Sequence, residues 1–243
     1  VSILDMKADL DDKILKIGEK ISIRRFEKVT ADVVASYIHG GGRIGVLVAG
    51  NGASDDAAKE ALTNIAMQIA AMNPQYISRD EISADELAKM KEITIDSALN
   101  DPFSLPKPVL SKLIEKAVAG VWSAEDVAIY EEKKSNMNFL PNFLSKEAKA
   151  QLAEIACADK EEISGNKIFS GLVEGRISKQ MKEICLLDQG YVKAEDGKQT
   201  VAAYLKSVNP ALKIAKFVRF EVGEGMEKKN EDFAAEVAKQ MNV

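Results

Sequence analysis

Histidine occurs once in the 243 residues, cysteine twice and tryptophan once, and aromatic residues make up 6% of the chain. That scarcity narrows the chemistry at once. A structural zinc site draws its four ligands mainly from Cys and His, so no ordinary one is expected. Cys157 and Cys185 form no CxxC pair and read as reduced, partly buried cytosolic thiols rather than a disulfide or redox couple. Long apolar runs are missing too. A bilayer span needs about 18 to 20 such residues, whereas the longest strongly apolar run, Ile44 to Ala49, is strand-sized. The first twelve residues, VSILDMKADLDD, carry acids where a signal peptide carries positive charge and do not begin with Met, so a fragment or processed chain is open from the first residue. Lys and Arg total 33 against 38 Asp and Glu, a formal charge of -5. That balance excludes a generally nucleic-acid-coating surface but leaves a local basic patch open.

What is present suffices for a folded protein. The chain is 46% hydrophobic and 29% charged, enough for one large domain or two modest ones around a real core. Ile3, Met6, Leu10, Ile14 and Ile17 predict a helix over 3–20, and Ile21 with Ile23 begins a β-rich stretch that predicts a strand over 21–29. The runs VVASYIH and RIGVLVAG flank Gly40, Gly41 and Gly42, which predicts a hairpin. Leu62, Ile65, Ile69 and Met72 give a helical stripe that stops at Asn73-Pro74. Ser83 and Glu86 have capping-box spacing at the head of a helix running to Asn100. Short helices follow over Val109 to Val118, Ser123 to Lys134 and Ser145 to Ala156, then a longer one from Ile163 to Leu187 with Val173, Ile177, Met181 and Ile184 on one stripe. Residues 200–207 predict a helix, 212–222 a strand and 230–241 a terminal helix presenting Phe233, Val237 and Met241. Without a repeated strand-helix-strand rhythm, the expected class is α+β with an antiparallel sheet.

Several apparent motifs fail their context tests. Gly40, Gly42 and Gly45 spell GxGxxG, but the dinucleotide fingerprint opens a helix and here a strand follows. His39-Gly40-Gly41-Gly42 spells an esterase oxyanion loop, yet no GxSxG elbow accompanies it, and the sole His would have to serve both as triad base and within that loop. No GxxxxGK[ST] is present. Carboxylate runs such as Asp55-Asp56 and Glu131-Glu132 read as solvated helix starts and faces, and Arg24-Arg25 as a source of surface ion pairs. A carboxylate pair brought together by folding stays open.

A resemblance then organises the blocks. Lys16-Ile17-Gly18-Glu19 with Ile21, Ile23, Arg24 and Arg25, and Tyr37-Ile38-His39-Gly40 with Arg43-Ile44-Gly45-Val46-Leu47-Val48, are similar to bacterial elongation factor Ts. The likeness continues through Ala66-Met67-Gln68-Ile69-Ala70-Ala71, Val173-Glu174-Gly175-Arg176, Arg219-Phe220-Glu221-Val222-Gly223-Glu224-Gly225 and Asp232-Phe233-Ala234-Ala235-Glu236-Val237. It covers about residues 11–100 and 165–241 and leaves 101–160 uncovered.

The resemblance implies a translation factor of the cytoplasm that is not an enzyme in the covalent sense: a guanine nucleotide exchange factor binding elongation factor Tu and promoting GDP release, with no cofactor and no direct nucleic-acid or membrane partner. Such a factor works by binding the nucleotide-free partner more tightly than its GDP form. The resemblance places Ile17, Gly18 and His39, together with Val192 and Lys193, at the interface with that partner. It also brings there a terminal helix, Glu231 to Met241, that carries Phe233. Phe233 shares a stripe with Val237 and Met241 and reads better as a core residue of that helix than as a contact; His39 reads as a hairpin-tip contact; for Ile17, core and contact stand equal.

The departures carry expectations of their own. The family begins with a small helical module and a Thr-Asp-Phe-Val segment that wedges into the partner; this sequence holds neither, and Asp232-Phe233 belongs to the terminal block. An N-terminally truncated chain with impaired exchange is therefore expected, its strand 21–29 left as an exposed edge. The uncovered stretch falls where the family carries a projecting helical hairpin that often mediates dimerisation, so an enlarged, all-helical version is expected, with a homodimer open. The resulting organisation is a remnant of a first core subdomain at 1–30; a second core subdomain at 31–82 and 190–226; a coiled-coil-like helical region at 83–189 with its insertion at about 101–160; and a terminal helical module at 227–243. An oligomerising helical scaffold is the alternative reading.

Overall fold

The structure, a computed structural model, describes residues 6–195 and 197–225. The chain divides into two compact units, Val1–Asn73 with Ala202–Val243, and Pro74–Val201. The terminal helix expected over 230–241, and Phe233 with it, lies outside the described residues.

The first unit is built on a three-stranded antiparallel sheet ordered β1-β2-β3, with β1 at Val33–His39, β2 at Ile44–Asn51 and β3 at Lys213–Glu221. The hairpin expected around the three glycines forms: His39 pairs with Ile44 across the turn, and Gly40, Gly41 and Gly42 take φ values of 59, 66 and 100°. Side chains with a Cβ rarely adopt that region, so glycine is what allows this backbone reversal. Helix α2, Asp56–Met72, covers one face of the sheet. Its start is set by Asp55, whose carboxylate accepts from the Ala58 N–H at 2.7 Å and so satisfies one free donor of the first turn. Ala58, Ala61, Leu62, Ile65, Ala66 and Ile69 recur at helical spacing and are all buried, filling the core with Val33, Ala35, Val46 and Val48 of the strands. Burial of this kind is worth roughly 1.5 to 3 kcal/mol per large aliphatic side chain. Asn73 ends the helix in the left-handed conformation, φ 46°, immediately before Pro74. At the far end of the hairpin the Gly52 N–H donates to Asp32 Oδ2 at 2.9 Å and the Asp32 N–H to Asn51 Oδ1 at 3.2 Å. Leu205 of α9, Val201–Val208, is buried, as is Leu212 beside it in sequence.

The start of the chain departs from expectation. Helix α1, Lys7–Ile17, forms and is closed by Gly18 in the left-handed conformation, φ 76°, but it contains no buried residue. The strand expected over 21–29 does not form; residues 20–30 carry no regular structure. The segment instead meets β3 and the residues after it through side chains. The guanidinium of Arg25 sits 4.3 Å from the centroid of the Phe220 ring and bonds Glu224 at 3.0 Å, Arg24 donates to the Glu224 carbonyl, and Lys216 pairs with Glu27 at 3.0 Å. The alternation of Ile21 and Ile23 suits a pleated surface, but β-propensity depends on a partner strand, and here the approach is by ion pairs rather than ladder bonds.

The second unit is helical. It contains α3 (Ala84–Asn100), α4 (Lys107–Val118), α5 (Ala124–Lys133), α6 (Lys146–Ala158), α7 (Lys160–Ser164) and α8 (Lys167–Ile184). The capping box of α3 is complete: the Glu86 N–H donates to Ser83 Oγ, and the Ser83 N–H to Glu86 Oε2 at 2.9 Å. One continuous core joins Leu99, Leu110, Ile114, Leu140, Leu152, Phe169 and Val173. The single helix expected over 163–187 is instead two, because Asn166 turns its side-chain carbonyl back to the N–H groups of Ile168 and Phe169 at 2.9 and 3.4 Å, a cap that begins a new helix. The cysteines divide: Cys185 is buried and Cys157 exposed. The architecture is α+β as expected, and among the described residues no helix is long and apolar enough to cross a membrane.

Candidate functional site: the hairpin tip

The register of the sheet sorts the tip residues by face. Tyr37 pairs with Val46 and Val46 with Arg219; His39 pairs with Ile44 and Ile44 with Glu221. Side chains opposite one another in a ladder point the same way, and alternate residues share a face, so Tyr37, His39, Arg219 and Glu221 lie on the face that α2 covers farther along, where Val33, Ala35 and Val48 are buried. His39 is exposed. Its Nδ1 lies 2.9 Å from the Tyr37 hydroxyl, with ring centroids 5.8 Å apart. On β3, Arg219 Nη2 pairs with Glu221 Oε2 at 2.8 Å, while Arg219 Nε is buried without a hydrogen-bond partner among the described residues. The opposite face carries a row of Ile38, Gly45 and Phe220. Ile38 is 64% exposed and Val222, whose N–H donates to the Arg43 carbonyl at 2.9 Å, is 72% exposed. An imidazole, two exposed aliphatic side chains and a turn of glycines thus stand together at one end of the sheet. Nearby, the Arg25 hydrogen bond holds the Glu224 carboxyl below the usual range, helped by the Glu221 N–H.

The other expected site residues fall in two places. Ile17 and Gly18 close α1 in the same unit as His39, and at 61% exposure Ile17 takes no part in a core of the described residues. Val192 and Lys193 belong to the helical unit. They form an exposed turn after Tyr191, which is itself buried and donates its N–H to the Gln199 carbonyl at 2.8 Å. Among the described residues no group of three or more His, Cys, Asp or Glu could hold a metal ion. Within the tip, the polar side chain given against the His39 imidazole is the Tyr37 hydroxyl.

A family model described as elongation factor TS matches residues 4–224. This chain belongs to the elongation factor Ts family. Elongation factor Ts of Clostridioides difficile (strain 630) is 38% identical over 236 residues, covering 96% of this chain and 58% of that protein. The Halothermothrix orenii (strain H 168 / OCM 544 / DSM 9562) protein of the same name is 35% identical over 239 residues, covering 98% and 58%. That of Clostridium botulinum (strain Eklund 17B / Type B) is 36% identical over 235, covering 94% and 57%. The chain therefore spans somewhat over half the length of these elongation factor Ts relatives. The match runs through 101–160 as well as the blocks on either side.

Reading by residue type had missed Tyr37 and Arg219. A Tyr-x-His step on a strand puts both rings on one face, and that spacing was the signal available for Tyr37. The environment of Arg219 depends on a partner strand about 170 residues away in sequence, which no local pattern carries.

Proposed function

We propose that this chain is a guanine nucleotide exchange factor of the cytoplasm that binds elongation factor Tu and promotes loss of GDP. The observation that carries the reading is the exposed tip in a member of this family: His39, Ile38 and Val222 are presented to solvent at one end of the sheet. Ile17, Gly18, Val192 and Lys193 supply further exposed contacts. Exchange requires differential binding. If the factor binds the nucleotide-free partner more tightly than its GDP form, linkage weakens GDP by the same factor, and no covalent step or cofactor is needed. The 243 residues contain no Thr-Asp-Phe-Val segment, so stimulation by these residues alone is expected to fall below that of a complete relative. The test is titration calorimetry with nucleotide-free and GDP-loaded elongation factor Tu. Tighter binding to the nucleotide-free form supports the reading, and equal affinity for both forms refutes it.

A second reading, an oligomerising helical surface, draws on Phe139 and Phe143, which are 58% and 51% exposed in the helical unit. Light scattering on Phe139→Ser with Phe143→Ser would detect it as a fall in molecular mass, and a mass that does not change removes it.

A further inference from the structure

The Tyr37 hydroxyl, 2.9 Å from Nδ1 of His39, has a consequence for recognition that the exposure of His39 alone does not supply. An exposed imidazole is free to turn about its side-chain bonds and, when neutral, to carry its proton on either nitrogen. Binding through one nitrogen then costs the ordering of both choices. Tyr37 is half-buried on the same strand face, so its ring is an anchored support. Because the hydroxyl meets Nδ1, the other ring nitrogen, Nε2, points away from it. Between a phenol and a neutral imidazole, the phenol is the better donor, since its oxygen lone pairs are drawn into the ring whereas the unprotonated imidazole nitrogen is a strong acceptor.

We propose that Tyr37 is a positioning residue for partner binding: its hydroxyl donates to Nδ1 and holds His39 as the Nε2–H tautomer, so that the tip presents one fixed donor to a carbonyl or carboxylate oxygen of the bound protein. The docking half of this proposal rests on the reading of the chain as a factor that binds elongation factor Tu. The paired imidazole itself rests on geometry alone. A buried partner oxygen at that point would be satisfied by a donor that needs no reorganisation on binding, and an approaching cation would be rejected.

Because His39 is the sole histidine, nitrogen-15 NMR of the full chain observes its two ring nitrogens without overlap. The wild type is expected to show the Nε2-protonated pattern, and Tyr37→Phe a mixture of both tautomers; a mixed or Nδ1-protonated pattern in the wild type overturns the pairing. The second arm measures affinity for nucleotide-free elongation factor Tu in wild type, Tyr37→Phe, His39→Ala and the double variant. Tyr37→Phe is expected to weaken binding about threefold to tenfold, the size of one neutral hydrogen bond, and to have no further effect once His39 is alanine. Equal losses in both backgrounds would mean that Tyr37 acts on its own account and would overturn the positioning role. If the wild type did not bind at all, the exchange-factor reading and the docking role would fall together, while the ring-nitrogen pattern would still decide whether the pair exists.

Discussion

The indole N–H of Trp122 donates to the main-chain carbonyl of Ala148 at 2.9 Å, tying the residue before the cap of α5 to the first turn of α6. Trp122 is only 7% exposed, stands edge-on to Tyr130 and is the single tryptophan of the chain. Replacing it by phenylalanine removes both a hydrogen bond and part of a packed ring system. Trp122→Phe is expected to destabilise the helical unit by about 1.5 to 3 kcal/mol, read from urea unfolding followed by helical circular dichroism. An unchanged midpoint would show that the contact contributes nothing.

The same corner contains a charge whose effect depends on pH. Asp126 is 6% exposed, and burial alone would push its carboxyl up. The Ser145 N–H at 2.9 Å, with the hydroxyls of Ser123 and Ser145 at 2.7 and 3.0 Å, outweighs that and holds it below its ordinary value. A folded-state value lower than the unfolded one means stability that is present above the ordinary Asp range, about 3.9, and is lost as pH falls through the folded value. Asp126→Asn is therefore expected to cost about 1 to 2 kcal/mol near neutrality. The gap to wild type should shrink as pH is lowered from about 5 toward 3, with Trp122 fluorescence as the probe. A gap independent of pH over that range would contradict the assignment.

Gly52 gives the sheet unit its own test. It sits at φ 91°, and a Cβ there would lie 2.1 Å from the Ala211 carbonyl oxygen, so alanine is opposed both by backbone conformation and by main-chain contact. Gly52→Ala is expected to cost about 3 kcal/mol or more. Gly120→Ala, where an added Cβ meets open space, should stay within about 0.5 kcal/mol. Calorimetric melting of both variants checks the contrast, and comparable losses would show that the close approach to Ala211 is not the cause.

How far these features could be read in advance depends on where their causes lie. The hairpin and α2 were legible because their signals are local: three glycines between β-rich runs, and Leu62, Ile65 and Ile69 at helical spacing. The Ser83–Glu86 box was legible for the same reason. Strand 21–29 was misread because Ile21 and Ile23 satisfy the pattern, whereas a strand also needs a ladder partner, and Arg25 engages Phe220 and Glu224 instead. The break between α7 and α8 was missed because the stripe of Val173, Ile177 and Met181 lies wholly within α8 and carries no signal of where that helix begins, which is set by one side chain, Asn166. At the candidate site His39 was evident as the only histidine at a glycine turn. Its support by Tyr37 was not, because a hydrogen bond between two side chains needs coordinates.

The most direct test of the account is the rate at which labelled GDP leaves elongation factor Tu as this chain is added, compared with the chain carrying Ile17→Ser or His39→Ala. Both residues are exposed, so both variants should melt within about 0.5 kcal/mol of wild type. The wild-type chain is expected to accelerate release in a concentration-dependent, saturable way, and each variant to require several-fold more protein for the same rate. Release that no concentration of the chain accelerates, or acceleration that both substitutions leave untouched, would contradict it.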